Sequence, residues 1–167
     1  MGKIPSWDVF IALTFVLGVA YGFILKREKV ITILSSIYIA IVMATSFTEY
    51  VFQFFQGNKV IANQIWVKGN LSESTVAIGL FLLVIIFVSG AINASSSRSG
   101  DTSVFEVIVY MALAMALIIS TILGFLPEAT RTNIINTSKV GSIVYNLRTL
   151  WVIGPPITLV FLNFRRR

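Results

Sequence analysis

The chain has 167 residues, of which 56% are hydrophobic and only 12% are charged, and its net charge is +6. Soluble domains carry roughly 25% charged residues. A chain with half that fraction has too little polar surface to cover a water-soluble body, so the composition favours a membrane protein. The sequence contains neither Cys nor His, which excludes thiolate and imidazole catalysts and the usual ligands of zinc, haem and iron–sulfur clusters.

The predicted membrane segments come first in chain order. Four apolar runs approach or reach the roughly 20 residues that a helix needs to cross the hydrocarbon core. They predict transmembrane helices at about 9–25, 30–47, 75–94 and 104–126. Helices are expected because an isolated strand would leave its backbone polar groups unpaired in lipid. The predicted fold class is all-α: one polytopic membrane domain over residues 1–167, with four transmembrane helices plus a C-terminal amphipathic or broken fifth helix.

A dense charge cluster, KREK at 26–29, separates the first two apolar runs. Cations beside a transmembrane helix are retained on the cytoplasmic side, and the first hairpin usually sets the orientation. We therefore expect this turn to be cytoplasmic and the N-terminus to be external. The predicted topology determinants are Lys26, Arg27, Lys29, Arg165, Arg166 and Arg167.

Most of the thirteen Lys and Arg residues lie outside the apolar runs. Membrane orientation and contact with anionic lipid account for this placement. No basic stripe is interleaved with exposed aromatic residues, so nucleic acid is not expected as a partner. The expected partners are membrane lipid and either further copies of the chain or other membrane proteins.

Small residues repeat at helical spacing in three of the four apolar runs. Small residues on one face allow helix backbones to approach closely in lipid. The pattern predicts packing within the chain, a homo-oligomer, or both. The residues of these stripes are Gly18, Gly22, Ser36, Ala40, Ala44, Ala112, Ala116, Ser120 and Gly124.

Glu106 is the one acid inside an apolar run. An intramembrane carboxylate is a functional candidate by default, and with Arg148 it could belong to a polar path. Ser103 and Glu106 also form a capping box at the start of the fourth helix, and this capping role is favoured. No catalytic, cofactor-binding or metal-binding pattern is present, so neither enzymatic activity nor a cofactor is expected.

The C-terminal segment permits two topologies. Apolar residues recur every three or four positions over about 138–153 and predict an amphipathic helix in the membrane interface. Gly154-Pro155-Pro156 is predicted to break it, because proline removes a donor and clashes with the preceding turn. Alternatively, residues 142–164 cross the membrane as a broken fifth helix. The distribution of cations favours this crossing, whereas Arg148 and the double proline argue against it.

The N-terminal part of the sequence resembles the colicin V production protein family. The resemblance is carried by SWDVFIALTFVLGVAYGFILKREKVITILSSIYIAIVMA, with its aromatic-acid pair Trp7-Asp8, Gly18, Gly22 and the KREK turn. Where that family commonly has Arg-Gly at the end of the first helix, this chain has Tyr21-Gly22. The resemblance implies residence in the bacterial inner membrane and a role in envelope homeostasis or in the export of a secreted peptide. It supplies no catalytic residues.

Three functions are compatible with these observations. The first is a non-enzymatic accessory or scaffold protein of the bacterial inner membrane, as the resemblance implies. The second is a homo-oligomeric channel or small-solute transporter, with Glu106, Arg148 and helix hydroxyls near the path. The third is a structural subunit of a larger membrane complex, because small helical chains without catalytic residues often have that role.

Overall fold

The computed structural model describes residues 6–25, 27–56, 71–92 and 104–164. Within these ranges the chain is helical, without strands, as the predicted all-α class requires. The helices are α1 (Trp7–Ile24), α2 (Arg27–Phe55), α3 (Glu73–Ala91), α4 (Val104–Phe125), α5 (Glu128–Thr137), α6 (Lys139–Asn146) and α7 (Arg148–Phe164).

Four helices, α1 to α4, are long and apolar enough to cross a membrane. They coincide with the four predicted runs, and the main difference is at the end of α2, which continues to Phe55 rather than ending near residue 47. The extension follows from the sequence TEYVFQFF, which contains neither Gly nor Pro to end the helix. The architecture is therefore consistent with a multi-pass membrane protein.

Helix α4 is the centre of the bundle and packs against α1, α2, α3, α6 and α7. Its residues Tyr110, Leu117 and Ser120 are fully buried. One apolar cluster joins α4 to α2 and α3, and a second joins it to α1, α5 and α6. Because α4 is shared by both clusters, it holds the other helices in register.

Consecutive helices from α1 to α4 run antiparallel, so α2 and α4 run parallel to each other, and the bundle has two distinct ends. We call one the Asp8 end; here α1 begins beside the start of α6, and Gly124 at the end of α4 lies against Arg148 at the start of α7. We call the other the Lys29 end; here the start of α2 meets Ser89 near the end of α3.

The outward faces of the helices are apolar. Phe87 of α3 is 72% exposed and Phe161 of α7 is 74% exposed. The outward residues of α1 are also large and apolar, including Phe10, Leu17 and Phe23. Side chains of this size and exposure are poorly suited to water and well suited to a hydrocarbon environment.

The prediction of a helix break at Gly154-Pro155-Pro156 is wrong. Helix α7 continues through both prolines, and the chain bends instead at Leu147, between α6 and α7. The two segments Lys139–Asn146 and Arg148–Phe161 meet at 61° and together have the length and apolarity of one broken span. This geometry corresponds to the broken-fifth-helix alternative with its break moved toward the N-terminus. It also divides the predicted amphipathic helix over 138–153 in two.

Candidate functional site

The glycine pair of α1 forms a close contact with α4. A Cβ atom added at Gly18 would lie 2.2 Å from Met115 Sδ, and one added at Gly22 would lie 2.2 Å from Met111 Cγ. The two methionine side chains therefore occupy the groove that the glycines leave open. Methionine suits such a groove because its unbranched chain adapts to irregular space.

The small residues of α2 lie in the interior of the bundle. Ser36, Ala40 and Ala44 are fully buried where α2 meets α3 and α4. The Ser36 hydroxyl donates a hydrogen bond of 2.8 Å to the Thr32 carbonyl of its own helix. The stripe thus lets neighbouring helices approach closely, and its polar atom is satisfied locally.

The stripe of α4 is divided between two environments. Ala116 and Ser120 are buried, whereas Ala112 and Gly124 are half-buried. A Cβ atom at Gly124 would lie 2.7 Å from Arg148 Nη1. All nine predicted packing residues lie in helices that pack against other helices of the same chain. Whether a second copy of the chain also uses them remains a prediction.

Glu106 and Arg148 are not brought together. Glu106 is buried in the first turn of α4. Arg148, at the start of α7, lies against Gly124, which belongs to the last turn of α4. Eighteen residues of α-helix separate these two points of α4, a distance of about 27 Å. They lie at opposite ends of the bundle, so a path that used both would have to run the whole length of α4. Ser103, the predicted capping partner of Glu106, lies outside the described residues.

Of the predicted topology determinants, Lys29 is the one whose side chain the structure describes. Its ammonium group donates a hydrogen bond to the Ser89 carbonyl near the C-terminus of α3, where the helix dipole favours a cation. Arg27 begins α2, and its side chain lies outside the described part, as do Lys26, Arg165, Arg166 and Arg167. Lys29 therefore also has a structural role, linking the hairpin turn to α3.

Sequence reasoning missed two contacts between distant parts of the chain. The Asp8 carboxylate accepts hydrogen bonds from the Ser138 hydroxyl at 2.7 Å and from the Val140 backbone N–H at 2.9 Å. It thereby binds the start of α1 to the start of α6, where Ser138 also caps the helix by accepting from the Gly141 N–H at 2.8 Å. The sequence did contain a signal for this contact, because Asp8 is an acid that adjoins an apolar run and has no partner close to it in the sequence.

The second missed contact explains why α7 tolerates its prolines. Pro156 has no N–H to offer the Val152 carbonyl, its partner in a regular helix. The Tyr38 hydroxyl of α2 donates to that carbonyl instead, at 2.6 Å. A similar substitution occurs at the bend, where the Trp151 indole N–H donates to the Val144 carbonyl at 2.9 Å. Side chains thus replace donors that the distorted backbone lacks.

A cleft of about 370 Å³ lies at the Asp8 end, between the late part of α2, the start of α3 and the end of α4. It combines a carboxylate with several hydroxyl groups. Its lining consists of Thr45, Thr48, Glu73, Ser74, Ala77, Gly124 and Phe125.

Two hydroxyl groups of α4 lack hydrogen-bond partners among the described residues. They are Tyr110 Oη and Thr121 Oγ1, and both side chains are at least 99% buried. The two positions are 11 residues apart and therefore share a face of the helix. Elsewhere in the spans, hydroxyl groups donate to carbonyls of their own helix, as Thr14, Thr32 and Thr45 do.

In the described ranges, no group of three carboxylates forms a candidate metal site. No family model matches the chain, and neither a curated protein nor a solved structure resembles it significantly.

Proposed function

We propose that this chain is a non-enzymatic accessory or scaffold protein of the bacterial inner membrane, with a role in envelope homeostasis or peptide export. The observation that carries the proposal is the internal use of polar groups in the spans. Hydroxyl groups of α1 and α2 are bonded to their own helix carbonyls, and Tyr38 completes the backbone of α7. A bundle of this kind offers other proteins shape and apolar surface rather than reacting groups.

The sequence resemblance to the colicin V production protein family supports the same proposal for the membrane and the cellular role. The structure adds a physical basis for a scaffold, because α4 contacts five other helices and fixes the outward faces of α1, α3 and α7. Fixed apolar faces allow recognition inside a membrane, where packing rather than hydrophobic burial drives helix association.

The test is affinity purification from native membranes in a mild detergent, followed by the mass of the intact complex. A scaffold is expected to retain other membrane proteins at a fixed stoichiometry. The same result would fit a structural subunit of a larger complex. Deleting this chain distinguishes the structural subunit from the accessory protein. Loss of a subunit dismantles the complex, whereas loss of an accessory protein leaves an active core.

The second candidate is a homo-oligomeric channel or small-solute transporter. The observation that favours it is the polar cleft at the Asp8 end, together with the unpartnered buried hydroxyls of Tyr110 and Thr121 along one face of α4. A single homo-oligomer in the purification, with solute flux in liposomes, would support this function and contradict the scaffold. The flux should then fall in Thr121→Val, with Thr14→Val as the matched control, because the Thr14 hydroxyl is bonded to a carbonyl of its own helix.

A further inference from the structure

The hydrogen bonds that the lining residues make within their own helices determine what the cleft at the Asp8 end can bind. Thr45 Oγ1 donates to the Ile41 carbonyl at 2.8 Å, and Thr48 Oγ1 donates to the Ala44 carbonyl at 2.6 Å. A hydroxyl group has one proton and two lone pairs. Because each proton is engaged within α2, both oxygens can act toward the cleft only as acceptors.

The cleft also contains a carboxylate and two helix ends of opposite polarity, the positive start of α3 and the negative end of α4. Glu73 supplies a carboxylate in the first turn of α3. Gly124 and Phe125 belong to the last turn of α4, the negative end of that helix. Pro127, four residues after Leu123, has no N–H to give to the Leu123 carbonyl. The described lining therefore combines a carboxylate and acceptor oxygens with one aromatic ring and the Ser74 hydroxyl, and the Glu73 charge offsets the positive start of α3.

A buried hydroxyl lies directly below this region on α4. Thr121 precedes Gly124 by three residues and Phe125 by four, so the three residues share one face of the helix. Its side chain is 1% exposed, and its hydroxyl has no partner among the described residues. Buried polar groups are ordinarily hydrogen-bonded to protein, water or ligand. An occupant of the cleft that reaches one turn deeper would satisfy it.

We propose that this cleft binds a ligand bearing a primary ammonium group. An ammonium group has three donors and no acceptor, which is the complement of one carboxylate and two acceptor hydroxyls. The Phe125 ring adds a surface that attracts cations. The volume of about 370 Å³ lies in the range of small-molecule sites rather than of a bare metal ion. The guanidinium of Arg148 lies close to Gly124 but is not part of the lining.

A primary ammonium group can come from a free amine or from the headgroup of phosphatidylethanolamine. Two measurements on the full-length protein distinguish these sources. In nanodiscs of phosphatidylcholine alone, which contain no primary amine, binding of radiolabelled ethanolamine is measured by scintillation proximity. In nanodiscs that also contain phosphatidylethanolamine, native mass spectrometry identifies the lipid retained after release.

The variants are chosen to separate the ligand site from the general electrostatics of the surface. Glu73→Gln removes the carboxylate charge and keeps the shape. Glu128→Gln is its control, because Glu128 is also exposed, lies in the first turn of a helix and is absent from the lining. Thr45→Val removes an acceptor at nearly constant volume, and Thr45→Ser retains the hydroxyl. Circular dichroism verifies that each variant is folded.

We expect Glu73→Gln to weaken binding about tenfold or more, the effect of losing one charge-assisted hydrogen bond. Glu128→Gln and Thr45→Ser should bind as the unmodified chain does, and Thr45→Val should be intermediate. Saturable ethanolamine binding identifies a free amine as a ligand; selective retention of phosphatidylethanolamine without ethanolamine binding identifies the headgroup. The proposal is overturned if neither amine binds, if sodium competes equally well, or if Glu73→Gln binds as tightly as the unmodified chain.

Discussion

The hydrogen bond from Tyr38 to α7 can be tested by a double-mutant cycle that uses proline chemistry. Tyr38→Phe removes the donor to the Val152 carbonyl and keeps the ring. Pro156→Ala restores the backbone N–H that a regular helix would direct at the same carbonyl. If the Tyr38 hydroxyl compensates for the proline, its removal should matter only while Pro156 is present.

The expected size of this effect is that of one hydrogen bond between two helices. A typical intramolecular hydrogen bond contributes about 0.5–1.5 kcal/mol, and hydrogen bonds between membrane helices average about 0.6 kcal/mol with a maximum near 1.7. Tyr38 is half-buried, so we expect Tyr38→Phe to lower the free energy of unfolding by about 1–1.5 kcal/mol. In the Pro156→Ala background the loss should fall below about 0.5 kcal/mol, which leaves a coupling near 1 kcal/mol.

The assay is reversible unfolding of the purified protein in mixed micelles of a mild detergent and sodium dodecyl sulfate, followed by far-ultraviolet circular dichroism. Pro155→Ala is the matched control, because its restored N–H would be directed at the Trp151 carbonyl and should not rescue Tyr38→Phe. An equal loss in the presence and absence of Pro156, or rescue by Pro155→Ala, would refute the compensation.

Three further predictions use the same unfolding assay. Gly22→Ala should lower the free energy of unfolding by about 1–3 kcal/mol, and by more than Gly18→Ala does. The reason is that the new Cβ at Gly22 would meet Met111 near the backbone, whereas Gly18 faces the flexible end of Met115. Gly79→Ala, in open space, is the control, and the reverse order of Gly22 and Gly18 would contradict this packing. Gly124→Ala should cost less than Gly22→Ala, because the atoms it meets belong to the mobile guanidinium of Arg148, and Arg148→Ala should remove that cost. Ser138→Ala should lower the free energy of unfolding by about 0.5–2 kcal/mol, because it removes the cap on α6 and the bond to Asp8. Ser142→Ala, a half-buried position of the same helix, is the control, and equal effects would argue against the cap.

The sequence was sufficient to predict the spans because hydropathy and length alone define a membrane helix. The cluster at 26–29 lies where α1 gives way to α2, as predicted, but Arg27, Glu28 and Lys29 already form the first turn of α2 rather than a turn between the helices. The glycine and alanine stripes lie in helices that pack closely, because small side chains have few other uses inside a membrane.

The remaining features depend on residues that are far apart in the chain. Helix α7 continues through Pro155 and Pro156 because a donor arrives from Tyr38, 114 positions earlier. Asp8 gains its hydrogen-bond partners only when α6, more than 120 residues later in the chain, lies beside it. Glu73 became a candidate ligand group only when the register of α2 and α4 placed acceptor hydroxyls and a helix terminus opposite it. Local pattern contains none of this information.

The dependence of α7 on Tyr38 has a consequence for the order in which the bundle is assembled. A helix that enters the bilayer alone must satisfy every backbone group by itself, and an unpaired carbonyl in hydrocarbon costs several kcal/mol. Helix α7 lacks the donor for Val152 until it reaches α2, which is synthesised more than 90 residues earlier. In a bilayer, α7 would therefore be stable only once α2 lies beside it, and we predict that retention of α7 depends on the correct formation of α2.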